Sequence, residues 1–142
     1  MAKSLATYDP AQLYITMGGF ALSGFVKGSF ITVERNENAF TGYVGADGEG
    51  ARAKSNDKSS KITLRFMASS DSNDILMGFA KADEVSNSGA APFMAKDGNG
   101  RSVIACENAW IEKLPSVDFG VENGEREWIL ATDSSEIFVG GE

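Results

Sequence analysis

The chain has no histidine and a single cysteine. Lack of histidine removes the commonest general base, the partner in a serine triad and the usual transition-metal ligand at once. One cysteine excludes an intramolecular disulfide framework, and Cys106, in the apolar run Val103-Ile-Ala-Cys106, reads as a buried inert thiol. A basic face is missing as well. Lys and Arg number 13 against 20 acids, a net charge of −7, which supplies no electrostatic footprint for holding phosphates. No stretch approaches the roughly 18 uninterrupted apolar residues of a membrane span. Met1-Ala-Lys-Ser4 lacks the apolar run of a signal peptide, so the expectation is a protein that is cytosolic when made and has no membrane partner.

What is present is an ordinary globular composition, 42% hydrophobic over 142 residues, enough for one domain with its own core. Charge is unevenly placed. Met1 to Cys106 carries eleven acids and eleven bases, whereas Glu107 to Glu142 carries nine acids against two bases. The last third therefore holds the whole excess. Its carboxylates are either solvated surface groups or the lining of an acidic channel that would repel phosphate, in which case Glu112, Asp118, Glu122, Glu125 and Glu127 are the candidates.

Local patterns predict short strands. Gln12–Met17, Gly18-Gly19 and Phe20–Phe25 form a hairpin signature, because Gly-Gly supplies the positive φ that tight hairpin turns need. Ser29–Arg35 alternates, as does Ile62, Leu64 and Phe66 against Thr63, Arg65 and Met67, which marks two half-buried strands. Ser69-Ser-Asp-Ser-Asn-Asp74 is rich in residues that start helices, and Ile75, Leu76, Phe79 and Ala80 make one apolar stripe, so a helix is expected over about 71–83. A loop should follow to Ala90. Pro92–Lys96, the turn Asp97-Gly-Asn-Gly100 and Arg101–Lys113 read as a second hairpin with a bend, Leu114–Gly120 as a break and Glu127–Thr132 as a last strong strand. The fold class is mainly β: a small antiparallel sandwich or barrel with one helix.

Catalytic patterns are weak. The carboxylate pairs Glu34/Glu37, Asp71/Asp74 and Glu125/Glu127 admit a small hydrolase, but Asp71 and Asp74 fit a helix start. Gly18–Gly24 and Gly42–Gly50 lack the Lys-Ser/Thr ending of a phosphate loop, and Asp97-Gly-Asn-Gly100 lacks the later ligands of a calcium loop. Trp110, Trp128, Tyr14 and Tyr43 leave a carbohydrate-binding β-sandwich module open, although strand aromatics more often serve core or interface.

The most informative segment is the connection at about 41–60, some twenty polar, Gly-rich residues between one strand and the next, which begins at Lys61. Structureless loops beyond roughly 12–15 residues are uncommon in compact domains and are usually functional or disordered. We expect an arm, mobile in the free monomer, that orders against a partner. Arg35, Tyr43, Asp47, Glu49, Arg52, Lys54, Asp57 and Lys58 are its candidate interface residues.

The same region carries a resemblance. Phe30-Ile-Thr-Val-Glu-Arg-Asn-Glu37, Val44-Gly-Ala-Asp-Gly-Glu49, Arg52-Ala-Lys-Ser-Asn-Asp57 and Ile62-Thr-Leu64, followed by Ser72-Asn-Asp-Ile-Leu76, resemble the tail tube proteins of contractile-tailed bacteriophages. The likeness runs from about Tyr8 to Leu130, and the order and spacing of the pieces carry it. It implies a non-enzymatic virion protein of the phage tail, assembled in the host cytoplasm without a cofactor, whose sixfold rings stack into a tube for genome passage. Implied partners are further copies of the chain, the tail sheath protein, and the baseplate and tail-terminator proteins. The tape measure protein and DNA would pass through the lumen without specific binding. A tube-like adaptor ring of the baseplate shares the fold and stays open beside the repeating tube. Ser135–Glu142 at the C-terminal tail, about 133–142, lies outside the shared pattern and reads as a last edge strand or a segment that docks on a neighbour.

Overall fold

The computed structural model describes residues 13–28, 30–98, 102–117 and 124–140. Among them are ten strands and one helix: β1 (Leu13–Met17), β2 (Phe20–Ala21), β3 (Ile31–Arg35), β4 (Phe40–Val44), β5 (Gly50–Lys54), β6 (Ser60–Met67), α1 (Ser72–Ser86), β7 (Ala91–Asp97), β8 (Val103–Lys113), β9 (Glu125–Thr132) and β10 (Ser135–Phe138). All pairings are antiparallel, and the main sheet runs β2-β1-β7-β8-β9-β6-β3. Two strands share one side of β8. Its first half, Val103–Cys106, pairs with β10, and its second, from Ala109 onward, pairs with β9. Register shifts at Ala91/Phe93 and at Ile111/Lys113 interrupt the ladders on β8, and such bulges bend a strand and increase its twist.

The sheet curls because one face of nearly every strand has the same destination. Ile15 and Met17, Ile62, Leu64 and Phe66, Phe93, Trp128 and Leu130 meet in a single buried cluster together with Leu76 from the helix. Alternation produces this directly in β6, where Ser60, Ile62, Leu64 and Phe66 are buried and the intervening residues are not. In α1 the buried residues Ser72, Leu76 and Ala80 recur every four positions, one face of a 3.6-residue period. Two side-chain ties fix the start of the helix. Trp128 Nε1–H donates to Asn73 Oδ1 at 2.9 Å, and Ser72 Oγ donates to Ser23 O at 2.9 Å while accepting from Ser23 N–H at 2.8 Å.

Several expected boundaries are corrected. The helix extends through Ser86 instead of ending near residue 83, because its last turn faces water, Val85 included, and Asn87 closes it in the left-handed conformation, φ 56°, with its N–H on Asp83 O at 3.1 Å. Asp71 is the N-cap residue but makes no side-chain cap bond; the Ser and Asn residues around it are used for tertiary ties. Gly18 and Gly19 do adopt positive φ, 60° and 86°, yet the returning strand stops at Ala21. Leu22 turns into the core and Gly24, φ 78°, ends the extended chain. β3 starts at Ile31, β6 at Ser60 and β9 at Glu125. Gln12, Ser29 and most of the turn before β8 lie outside the described residues. The largest correction concerns the arm: Phe40–Lys54 is no strand-free connection but a two-stranded hairpin, β4 against β5, forming a separate small sheet.

Phe66 is fully buried and stacks on Phe25 with ring centroids 4.6 Å apart. Phe66→Ala should lower unfolding stability by about 3–5 kcal/mol, read from the urea midpoint with an unchanged slope; a loss under about 1 kcal/mol would mean that the ring is not part of the core.

Candidate functional site

The arm grows out of the β3–β6 ladder. Beyond the pair Arg35↔Ser60, Asn36 N–H donates to Ser59 O at 3.0 Å and Ser55 N–H to Ala39 O at 2.9 Å, after which β4 and β5 pair through Phe40↔Lys54, Gly42↔Arg52 and Val44↔Gly50. Its tip closes with Gly45 N–H on Glu49 O at 2.8 Å, Gly48 at φ 88° and the Asp47 carboxylate accepting from Glu49 N–H at 3.2 Å. At about 3.3 Å per residue, five-residue strands carry the turn roughly 17 Å beyond the root.

Every residue of both arm strands is exposed, Tyr43 and Val44 by 60% and 73%. The Arg52 guanidinium lies 4.2 Å from the centre of the Phe40 ring, a cation–π contact worth about 0.5–1 kcal/mol where solvent is present. A lone two-stranded hairpin is marginal in water. This one therefore presents an ordered backbone and uncovered apolar area without a core of its own.

The candidate interface residues divide into two groups. Tyr43, Asp47, Glu49, Arg52 and Lys54 belong to the arm, whereas Arg35, Asp57 and Lys58 stand at its root and are engaged within the chain. Arg35 is half-buried and its Nη2 donates to Ser135 O at 2.9 Å. Lys58 Nζ pairs with Glu136 at 3.2 Å. Asp57 accepts from Ser59 N–H at 2.9 Å, and hydrogen bonding from Ser59, through its side chain and then its backbone, holds the Asp57 carboxyl below the usual range.

Two serines that carry no mark of function in the sequence hold this root together. Ser135 N–H and Oγ both donate to Lys58 O, at 3.0 and 3.2 Å, and the buried Ser60 and Ser135 hydroxyls lie 2.6 Å apart. The tail at 133–142 thus contains an edge strand, β10, that grips the base of the arm. A signal existed for Ser60, which falls in phase with Ile62, Leu64 and Phe66.

The proposed channel residues are only partly gathered. Glu125 and Glu127 sit two apart on the exposed face of β9, and Glu127 Oε2 accepts from Arg65 Nε at 3.2 Å. Glu112 is exposed where the β8 ladder shifts register. Asp118 and Glu122 lie outside the described residues. The register places Thr32, Thr63 and Ile129, then Glu34, Lys61 and Ala131, in rows across the same outer face of β3, β6 and β9, so its charges are mixed rather than uniformly acidic.

The aromatic residues weighed for sugar binding do not make one surface. Trp128 is a core residue, 2% exposed, whereas Tyr14 is on β1 and Tyr43 on the arm. Cys106 is buried, and that burial pushes its thiol pKa up, as expected of an inert thiol.

Comparison with known proteins agrees with this architecture. A family model described as "Bacteriophage PhiTE tail tube protein" matches residues 11–140. The structural protein ORF10 of Pseudomonas phage KPP10 is 30% identical, over 99% of this chain and 86% of that protein. Among solved structures, the tube-terminating cap of the anti-feeding prophage aligns with a TM-score of 0.67 at 15% identity, covering 97% of this chain and 95% of that one. A chain from the sheath-tube complex of the PVC extracellular contractile injection system aligns with 0.62 at 13%, covering 93% and 91%. At such identities the two solved structures speak for the fold.

The root gives a ranking to test. Ser60→Ala should cost about 1–2 kcal/mol, since it takes a partner from a buried hydroxyl, whereas Lys58→Ala, which opens an exposed ion pair, should cost less than about 1 kcal/mol. Urea unfolding of both variants decides it, and the opposite order would show that the ion pair rather than the serine pair secures β10.

Proposed function

We propose, from the premise that the chain belongs to the bacteriophage PhiTE tail tube protein family, a structural and non-enzymatic family, that copies of this phage tail protein join through the arm into rings and that the rings stack into the inner tube of a contractile tail. The observation that carries the proposal is the arm itself. An ordered ribbon with Phe40, Tyr43 and Val44 exposed needs a surface outside its own chain to become stable. Contact between an arm and a different surface is heterologous, which yields a ring when the rotation closes and a stack when it carries a translation. Sixfold rings are taken from the resemblance.

In this reading the outer face of β3, β6 and β9 lines the channel. It offers hydroxyls, Ile129 and Ala131, Glu34 opposite Lys61 and an Arg65–Glu127 pair, so its bases stand beside acids and give a passing phosphate backbone no basic track to hold. Genome and tape measure protein would then move along it without specific attachment. The sheath would meet the outside of the tube, and baseplate and terminator proteins its two ends. A solved neighbour described as a tube-terminating cap shares the fold at the higher TM-score, which keeps an end ring as the second reading. Self-propagation separates the two: a tube protein forms long tubes of uniform width at high concentration, and an end-ring protein stops at isolated rings.

Excising the arm tests the proposal. Ala39 and Ser55 are hydrogen-bonded across its base, so Phe40–Lys54 can be replaced by an Asn-Gly turn without moving β3 or β6. The variant should remain a folded monomer, its unfolding free energy changed by less than about 1 kcal/mol, and should show no rings or tubes by negative-stain electron microscopy and sedimentation. Tubes formed at undiminished yield would overturn the role given to the arm.

A further inference from the structure

The four strands β1, β7, β8 and β10 turn one face to the core and, among the described residues, leave the other uncovered. Their register sets Thr16, Met94, Ala105 and Glu136 in one row across that outer face, and Tyr14, Lys96, Val103 and Phe138 in the next. Tyr14, Met94 and Phe138 are 58%, 48% and 58% exposed. A shallow groove runs along the first row, walled by Pro92, Met94 and Ala105, with Glu107 and Glu136 as its two lining carboxylates. Exposed apolar surface beside two acids is what a basic, apolar strand would complement.

The arm presents such a surface. Its pairing places Phe40, Val44, Arg52 and Lys54 on one side of the ribbon, with Gly42 opposite Arg52 and Gly50 opposite Val44. The acids Asp47 and Glu49 are kept apart in the turn. Both surfaces stand exposed in the single chain, so neither covers the other.

We infer that the arm of one copy lays this side into the groove of a second copy, with Phe40 and Val44 against Pro92 and Met94, and Arg52 and Lys54 against Glu107 and Glu136. The inference rests on the assembly reading above and adds the acceptor to it. Strand β10 gives it a consequence. Glu136 already pairs with Lys58 at the root of the host's own arm, so an incoming cation meets a carboxylate that stands beside the base of the next arm in line.

Cross-linking between differently marked copies tests the docking. In a Cys106→Ala background, Gly42→Cys is made in one preparation, a site where an added Cβ meets nothing closer than Ala51 O at 4.0 Å. Met94→Cys is made in a second and Thr63→Cys, on the opposite face, in a third. After mild oxidation of mixtures, the Gly42→Cys and Met94→Cys pair should give several-fold more disulfide-linked heterodimer than the Gly42→Cys and Thr63→Cys pair. Arg52→Glu in the arm should abolish that product, and Glu107→Arg in the acceptor should restore it. Oligomers in the ultracentrifuge with no preference for Met94→Cys over Thr63→Cys would overturn the acceptor while leaving assembly standing. No cross-link and no oligomer at any concentration would overturn both.

Discussion

Strand β8 has to serve two half-sheets at once, and the molecule is organised around that constraint. Its first half is held between β7 and β10 and its second runs along β9. A straight, flat strand in those roles would spread the hydrophobic face across one open layer. The register shifts on β8 instead let the two halves close on a common core, into which Phe93 projects from one side and Leu64, Phe66 and Leu130 from the other. Curling also divides the outside into two faces of different character. One, over β3, β6 and β9, carries mixed charge and hydroxyls; the other, over β1, β7 and β10, carries Tyr14, Met94 and Phe138. A subunit with two unlike outer faces and a projecting arm is suited to contacts that repeat in one direction rather than to a self-complementary pair.

The arm makes sense only with its root. A two-stranded ribbon has no layer beneath it, so its direction is set where it leaves the body. That point is tied by the main-chain bonds of Asn36 and Ser135 and by the buried Ser60–Ser135 contact. Arg35 reaches across to the Ser135 carbonyl. These ties involve residues distant in sequence, so β10, although only four residues long, converts a flexible hinge into a directed one. The exposed Lys58–Glu136 pair adds little energy by itself; its interest lies in where it stands, between the root and the apolar groove.

How much of this was legible in the sequence depends on the range over which the deciding interaction acts. Ile62, Leu64 and Phe66, and the stripe of Ile75, Leu76, Phe79 and Ala80, announced β6 and α1 because alternation and the helical period are local. The helix end is hard to place because Glu84 and Ser86 are polar and Val85 is exposed, so composition does not separate a solvent-facing last turn from a loop. The hairpin in the arm was hidden by Gly42, Gly50, Ala51 and Ala53, which are too small to print an alternation on the sequence. Nothing local says that β8 will be shared between β9 and β10, or that Glu127 will stand opposite Arg65. The grouping of exposed residues into faces followed only from that register, so the candidate site was legible as a segment and not as a surface.

Charge then bears on how such subunits can associate at all. Copies of net charge −7 repel one another at long range, and at physiological ionic strength that repulsion fades beyond about 8 Å. Association therefore has to be decided by local complementarity within that distance. The arm proposed for that contact is segregated by face: Arg52 and Lys54 share one side of the ribbon with Phe40, while Asp47 and Glu49 are confined to the turn. Exposed apolar side chains add an attraction that salt does not screen. Long-range repulsion with short-range, directional attraction disfavours random aggregation of exposed strands and leaves the geometrically matched contact as the one that persists. A segment balanced in net charge but divided by face meets that requirement, whereas a uniformly basic arm would also bind nucleic acid without discrimination.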